Sequence, residues 1–152
     1  MTLTMIRVSK NLRLIRYEGE NAIDAAADQV RARFATPNMH QIYSDKRDEA
    51  ERYLAAAANE PPDLAGFPYL SAEVGITSEK PQDLAALWLY MDAQWKMVAS
   101  TIEQIRIASK AQVRAANSAE DIDKIVAAAT ATLDQIGDKP PQRPPQKPLP
   151  TP

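Results

Sequence analysis

The sequence predicts a mainly α-helical protein. An N-terminal β-hairpin leads into a helical bundle built around a long-helix antiparallel hairpin, and an extended Pro-rich C-terminal tail follows. Three observations carry this. Alanine is abundant while aromatics make up only 6% of the 152 residues, and Ala loses no side-chain entropy in a helix. Apolar residues at Leu84, Trp88, Met91, Trp95, Val98, Ile102 and Ile105 recur at alternating intervals of four and three, the mark of a coiled-coil seam or a long bundle helix. Of 12 prolines, seven lie between Pro140 and Pro152, which leaves the preceding chain to fold as one body of ordinary size.

The hairpin is placed over residues 1–20. Ile6 and Val8 alternate with Arg7 and Ser9, and Leu12 and Leu14 continue the pattern around Arg13. Ser9-Lys10-Asn11 supplies the turn, since Asn tolerates positive φ. A lone two-stranded hairpin is marginal in water, so it must pack on helices or extend a partner's sheet.

The helical body covers residues 21–137. A first helix over 22–35 is capped by Asn21, and Ile23, Ala27, Val30 and Phe34 form its apolar face; Pro37-Asn38 stops it. A second, over 39–59, buries Ile42, Lys46, Ala50, Tyr53 and Leu54, with Lys46–Glu49 and Asp48–Arg52 pairing along its surface. Residues 61–78, with Phe67, Tyr69, Leu70, Val74 and Ile76, are too apolar for a free linker and read as a turn tucked against the body. The long helix spans 79–116, opened by Ser78 with Pro81 in its first turn. Ser118 and Asp121 cap a last helix over 119–136, and Gly137 closes it. So short a break between the last two helices favours an antiparallel pair.

The tail, residues 138–152, contains PPQR followed by PPQK. Such a run adopts polyproline II, with a reach of about 45 Å. Pro141, Arg143, Pro144, Pro145, Lys147 and Pro148 are its candidate contact residues, because Pro-rich segments with interspersed cations suit aromatic grooves or lie as a strap on a neighbour.

Catalytic, cofactor-binding and metal sites are expected to be absent, and the chain is not expected to be an enzyme. Cysteine is lacking and His40 is the single histidine, so common zinc sites and nucleophile–base pairs have no sequence support. Gly19, Gly66, Gly75 and Gly137 do not cluster into a phosphate-cradling loop. Glu18 and Glu20 around Gly19 read as a turn; Glu120, Asp121 and Asp123 suit a helix N-terminus. The net charge of −2 gives no basic field for nucleic acid, and no apolar run approaches the roughly 20 residues of a membrane span. Trp88 and Trp95, seven apart, share one face with Met91 between them. They are core residues of the seam, or they line a ligand pocket or a partner interface; the seam can exceed what its shorter partner helix covers.

The segment Ile42-Tyr43-Ser44-Asp45-Lys46-Arg47-Asp48-Glu49-Ala50, followed by Tyr53-Leu54, resembles the Y-x-x-K-x-x-E-A stretch of small helical phage tail proteins. The run from Trp95 through Ile102-Glu103 and Arg106 to Ala115-Ala116-Asn117-Ser118 and Ile122…Ile125 is similar to the helical hairpin of tail-fibre and tail-fibre-assembly proteins. The likeness covers residues 5–136 and rests on helix-packing patterns; the Pro-rich tail lies outside it. It implies a structural adaptor of a phage tail, in the fibre or baseplate region, made in the host cytoplasm and located in the virion. The alternatives are a tail-fibre assembly chaperone not retained in the virion, or a non-phage partner-binding helical module. The implied partners are other tail or fibre chains in a homo-oligomer or symmetric hetero-assembly, with neither nucleic acid nor membrane involved.

Overall fold

Alternating four- and three-residue spacings of apolar side chains dominate the chain, and helices follow from them. The computed structural model describes residues 2–36 and 38–139, with side chains from Asn11 onward. The helices are α1 (Thr2–Phe34), α2 (His40–Ala56), α3 (Pro68–Glu73), α4 (Pro81–Ala115) and α5 (Ala119–Gly137), with a 3₁₀ turn at Leu64–Gly66. Among the described residues there is no strand, only an isolated bridge between Val74 and Ser78. The Pro-rich tail from Pro140 onward lies outside the described residues, and with it the six contact residues placed there.

Leu12–Tyr17, the later part of the segment 1–20, lies within α1. The reason lies in a second periodicity. Leu12, Ile15, Gly19 and Ile23 fall three and four apart, and this face packs on Val113, Ile122 and Val126. Burial of a long helical face outweighs the local β preference of a few alternating residues. Asn21, read as a cap, is an exposed mid-helix residue.

The contacts divide the chain into two units. The first takes α1 together with α4 from Val98 onward and α5. Its core has two clusters: Ala26, Ala27, Val30, Ile102 and Leu133, and then Ile23, Val113, Ile122 and Ala129. Glu20 bonds Arg114 while Arg31 bonds Glu103, so α1 runs antiparallel to α4. Gly19 faces Ile122 and Arg33 reaches Asp134, so α1 runs parallel to α5. Pairing of Ile102 with Leu133 and of Val113 with Ile122 makes α4 and α5 antiparallel. Ser118 caps α5: its Oγ accepts from the Asp121 N–H at 3.1 Å and donates to the Asp121 carboxylate at 2.7 Å.

The second unit runs from Thr36 to Met97. It opens at Asn38, whose φ of 66° lies in the left-handed region that Asn tolerates better than most residues. Its core is Ala50, Tyr53, Phe67, Leu70, Leu84 and Ala85, edged by Leu54, Leu64, Val74, Trp88 and Leu89. Tyr53 and Phe67 meet edge to face at 5.2 Å between ring centroids, a favoured aromatic geometry. The segment 61–78 is thus part of this core, carried by the 3₁₀ turn and α3.

Candidate functional site

A short helix such as α3 begins with amide groups that have no partner within the helix. Its N-cap residue, Phe67, offers no capping side chain. The deficit is met from α2: the buried carboxylate of Glu49 accepts the Leu70 N–H at 2.6 Å. One turn earlier on α2, Lys46 is ion-paired with Glu73 at the other end of α3, and its ammonium lies 5.1 Å from the centroid of the Trp88 ring. Tyr69 donates to Asp45 at 3.3 Å, and burial followed by the adjacent Asp45 charge raises its phenol above the ordinary value. Lys46 and Glu49 are the K and E of the Y-x-x-K-x-x-E-A stretch, and Ala50, its last residue, is fully buried beneath them. The stretch therefore works as a clasp that fastens α3 onto α2 and positions the turn that follows.

That geometry corrects the surface pairs expected from spacing. Lys46 reaches across to Glu73 and Glu49 turns inward to a backbone amide. Asp48 is bonded by Arg47, and Arg52 lies over the Phe67 ring at 5.4 Å. Glu49→Ala, which leaves the buried Leu70 N–H without an acceptor, is expected to cost about 2 kcal/mol. Glu49→Gln retains a carbonyl acceptor and is expected to cost less; urea titrations of the two variants give the comparison.

Beyond the clasp the chain turns sharply. Gly75 takes a φ of 84°, its N–H donates to the Ser78 carbonyl at 2.7 Å, and the Val74–Ser78 bridge closes the loop. Ile76 sits on the tip of this turn and is 84% exposed. Spacing alone does not single out this large apolar side chain held outward on an ordered turn.

The first unit spends its charges internally. Along α1 and α4, Glu20 accepts from Arg114 at 2.7 Å, Asp24 from Arg106 at 2.8 Å and from Lys110, and Glu103 accepts from Arg106 at 2.7 Å and from Arg31. Arg16 adds two hydrogen bonds to the carbonyl of Ala116. Hydrogen bonds from Arg114, Lys110 and Arg106 respectively hold the carboxyls of Glu20, Asp24 and Glu103 below their ordinary values. Depressed carboxyls stabilise the fold at pH values above the unfolded range, near 4, and that contribution is lost as pH falls through the folded values. The melting temperature is thus expected to fall steeply on acidification below about pH 4. Asp24→Asn is expected to lower it at neutral pH and to shallow the acid-side slope, as read by thermal denaturation across a pH series.

The sequence candidates on α4 separate. Trp88 packs on the core of the second unit and Trp95 is partly buried, whereas Met91 is 49% exposed. The residues read as one seam thus feed two cores: Leu84 and Trp88 belong to one, Val98, Ile102 and Ile105 to the other. An open hollow at the α4–α5 turn is lined by Gln112, Ala116, Asn117, Asp121, Lys124 and Ile125. Among the described residues no group of three or more His, Asp or Glu side chains is placed to hold a metal ion, and no helix is long and apolar enough to cross a membrane. Comparison with known proteins finds no family model, no curated protein and no solved structure that matches the chain.

Proposed function

We propose that the chain is a structural adaptor that works by docking other protein chains, in the fibre or baseplate region of a phage tail. The observation that supports docking most directly is Ile76, presented at 84% exposure on a turn braced by the Glu49 and Lys46 clasp. Ordering an exposed loop around an apolar side chain lowers the entropy lost on binding, so such a residue is suited to anchor a contact. Along α1 and α4 the carboxylates of Glu20, Asp24 and Glu103 are occupied by Arg114, Arg106, Lys110 and Arg31, which leaves them a framework role. The phage-tail setting rests on the resemblance of residues 42–54 and 95–125 to small tail proteins.

Mass spectrometry of purified tail particles tests the setting, with the protein expected in constant proportion to the other tail components. Its presence during assembly and absence from finished particles would instead make it an assembly chaperone. Ile76→Ser tests the docking reading: incorporation is expected to drop severalfold while the melting temperature stays unchanged. Deletion of 138–152 asks the same of the Pro-rich strap. Normal incorporation of both variants would remove the docking reading.

A further inference from the structure

An asparagine side chain carries its own latent electrophile. Its amide carbon, Cγ, is one ring closure away from the backbone nitrogen of the next residue. The ring closes readily when that nitrogen is free and the next side chain is small. Inside a helix the nitrogen is bonded to a carbonyl one turn back, so the reactivity of each asparagine depends on where the fold puts it. The chain has five, at positions 11, 21, 38, 59 and 117. Asn11 and Asn21 lie within α1, whose hydrogen bonds take up the amides that follow them. Asn38 precedes Met39, whose N–H donates to the Thr36 carbonyl at 3.2 Å. Asn59 is exposed, but it precedes Glu60, whose longer side chain crowds the approach to its nitrogen.

Asn117 differs on each count. It is exposed, it lies in the irregular turn between α4 and α5, and it precedes the small residue Ser118. Among the described residues the Ser118 N–H meets no acceptor. Ser118 caps α5 through its Oγ, which leaves its amide uncommitted. In a full capping box the side chain three residues on reaches back to that N–H. Here that residue is Asp121, and its carboxylate accepts the Ser118 hydroxyl at 2.7 Å instead. From this arrangement we infer that Asn117 is a site of spontaneous deamidation, converting to aspartate and isoaspartate in the folded protein. The Ser118 nitrogen gives its proton to solvent and bonds to Asn117 Cγ. The Cγ–Nδ2 bond breaks, and ammonia leaves after taking up a proton. Water then opens the resulting succinimide. Cleavage of the new N–Cγ bond yields aspartate, whereas cleavage at the backbone carbonyl yields isoaspartate. One water is consumed and one ammonia released, with no oxidant or cofactor. Either product sets a carboxylate in the hollow that Asn117 shares with Asp121 and Lys124. Isoaspartate also lengthens the main chain by one methylene just before the α5 cap. The modification stands independently of any phage-tail role, since it depends only on this one turn.

Peptide mass spectrometry of the full chain, held in warm and mildly alkaline buffer, is the test. Enzymatic methylation of isoaspartyl carboxylates distinguishes the two products, and a parallel sample in urea supplies the rates that local sequence alone sets. In the folded protein Asn117 is expected to convert severalfold faster than any other asparagine, with isoaspartate as the major product. Asn11, Asn21 and Asn38 are expected to convert faster in urea than in the folded chain. Asp121→Glu completes the capping box and ties up the Ser118 N–H. It is expected to slow the conversion of Asn117 severalfold, with circular dichroism unchanged. Three results would each overturn the assignment: an intact Asn117 in the folded chain while the urea sample converts, first conversion at another asparagine, or conversion of Asp121→Glu at the wild-type rate.

Discussion

Tyr53→Ala is expected to unfold the second unit's core while α1 and α5 keep their protection. Tyr53 is 1% exposed and packs edge to face on Phe67, which is itself held beneath Arg52. Removing a buried aromatic ring costs about 3–5 kcal/mol through lost burial and the cavity left behind. Most or all of the stability of so small a core is therefore at stake. Hydrogen exchange followed by segment gives the measurement. Amides of α2, α3 and the turn at 74–78 should exchange fast, whereas those around Val30, Ile122 and Leu133 should stay slow. Equal loss of protection in both units would show that they unfold as one, contrary to this expectation.

Gly19→Leu is the second large effect expected. Even a Cβ at Gly19 would lie 2.9 Å from Ile122 Cγ2 and 3.3 Å from Val126 Cγ2, with Val113 at 3.5 Å. A whole side chain has no room unless α1 and α5 separate, and overpacking of this kind costs about 3 kcal/mol. Gly19→Ala sets two terms against each other: the gain in helix propensity, about 1 kcal/mol, and the clash with Ile122. Pairing it with Ile122→Val, which keeps the Cγ2 branch, should not relieve the clash, whereas Ile122→Ala should. Thermal melts of the four proteins check this, and a Gly19→Leu variant as stable as wild type would show that the two helices do not approach so closely.

How much of this was legible in the sequence differs by element. The boundaries near α2, α4 and α5 were visible because Pro37, Pro61-Pro62, Pro81 and Ser118 punctuate strong helical periods. The N-terminal half of α1 was not. Ile6, Val8, Leu12 and Leu14 alternate like a strand, and Gly19 between two glutamates looks like a turn. Gly19 is in fact the point of closest helix approach, and Glu20 belongs to the ion pairs with Arg114 and Lys110. Such roles depend on α4 and α5, about a hundred residues away, so local spacing could not disclose them. The clasp shows the same limit. Lys46 and Glu49 stand in a recognisable motif, yet their partners Glu73 and Leu70 come from a segment whose position local pattern does not fix. On α4 the heptad spacing is legible, whereas its division between two cores is a property of the fold.

The sign of the charges along α1 has one more consequence. Acidic Glu20 and Asp24 face basic partners on α4, but at Arg31 the polarity reverses and the partner is Glu103. Slipping α1 by one helical turn toward the α4 C-terminus would bring Arg31 against Arg106 and strand Glu20 beyond Arg114. A uniform acid-against-base row would tolerate that slip with little complaint, because every rung would look alike. The reversed rung makes one alignment distinguishable from its neighbours, so that while the chain is still folding, a misthreaded α1 meets repulsion before its apolar face can settle.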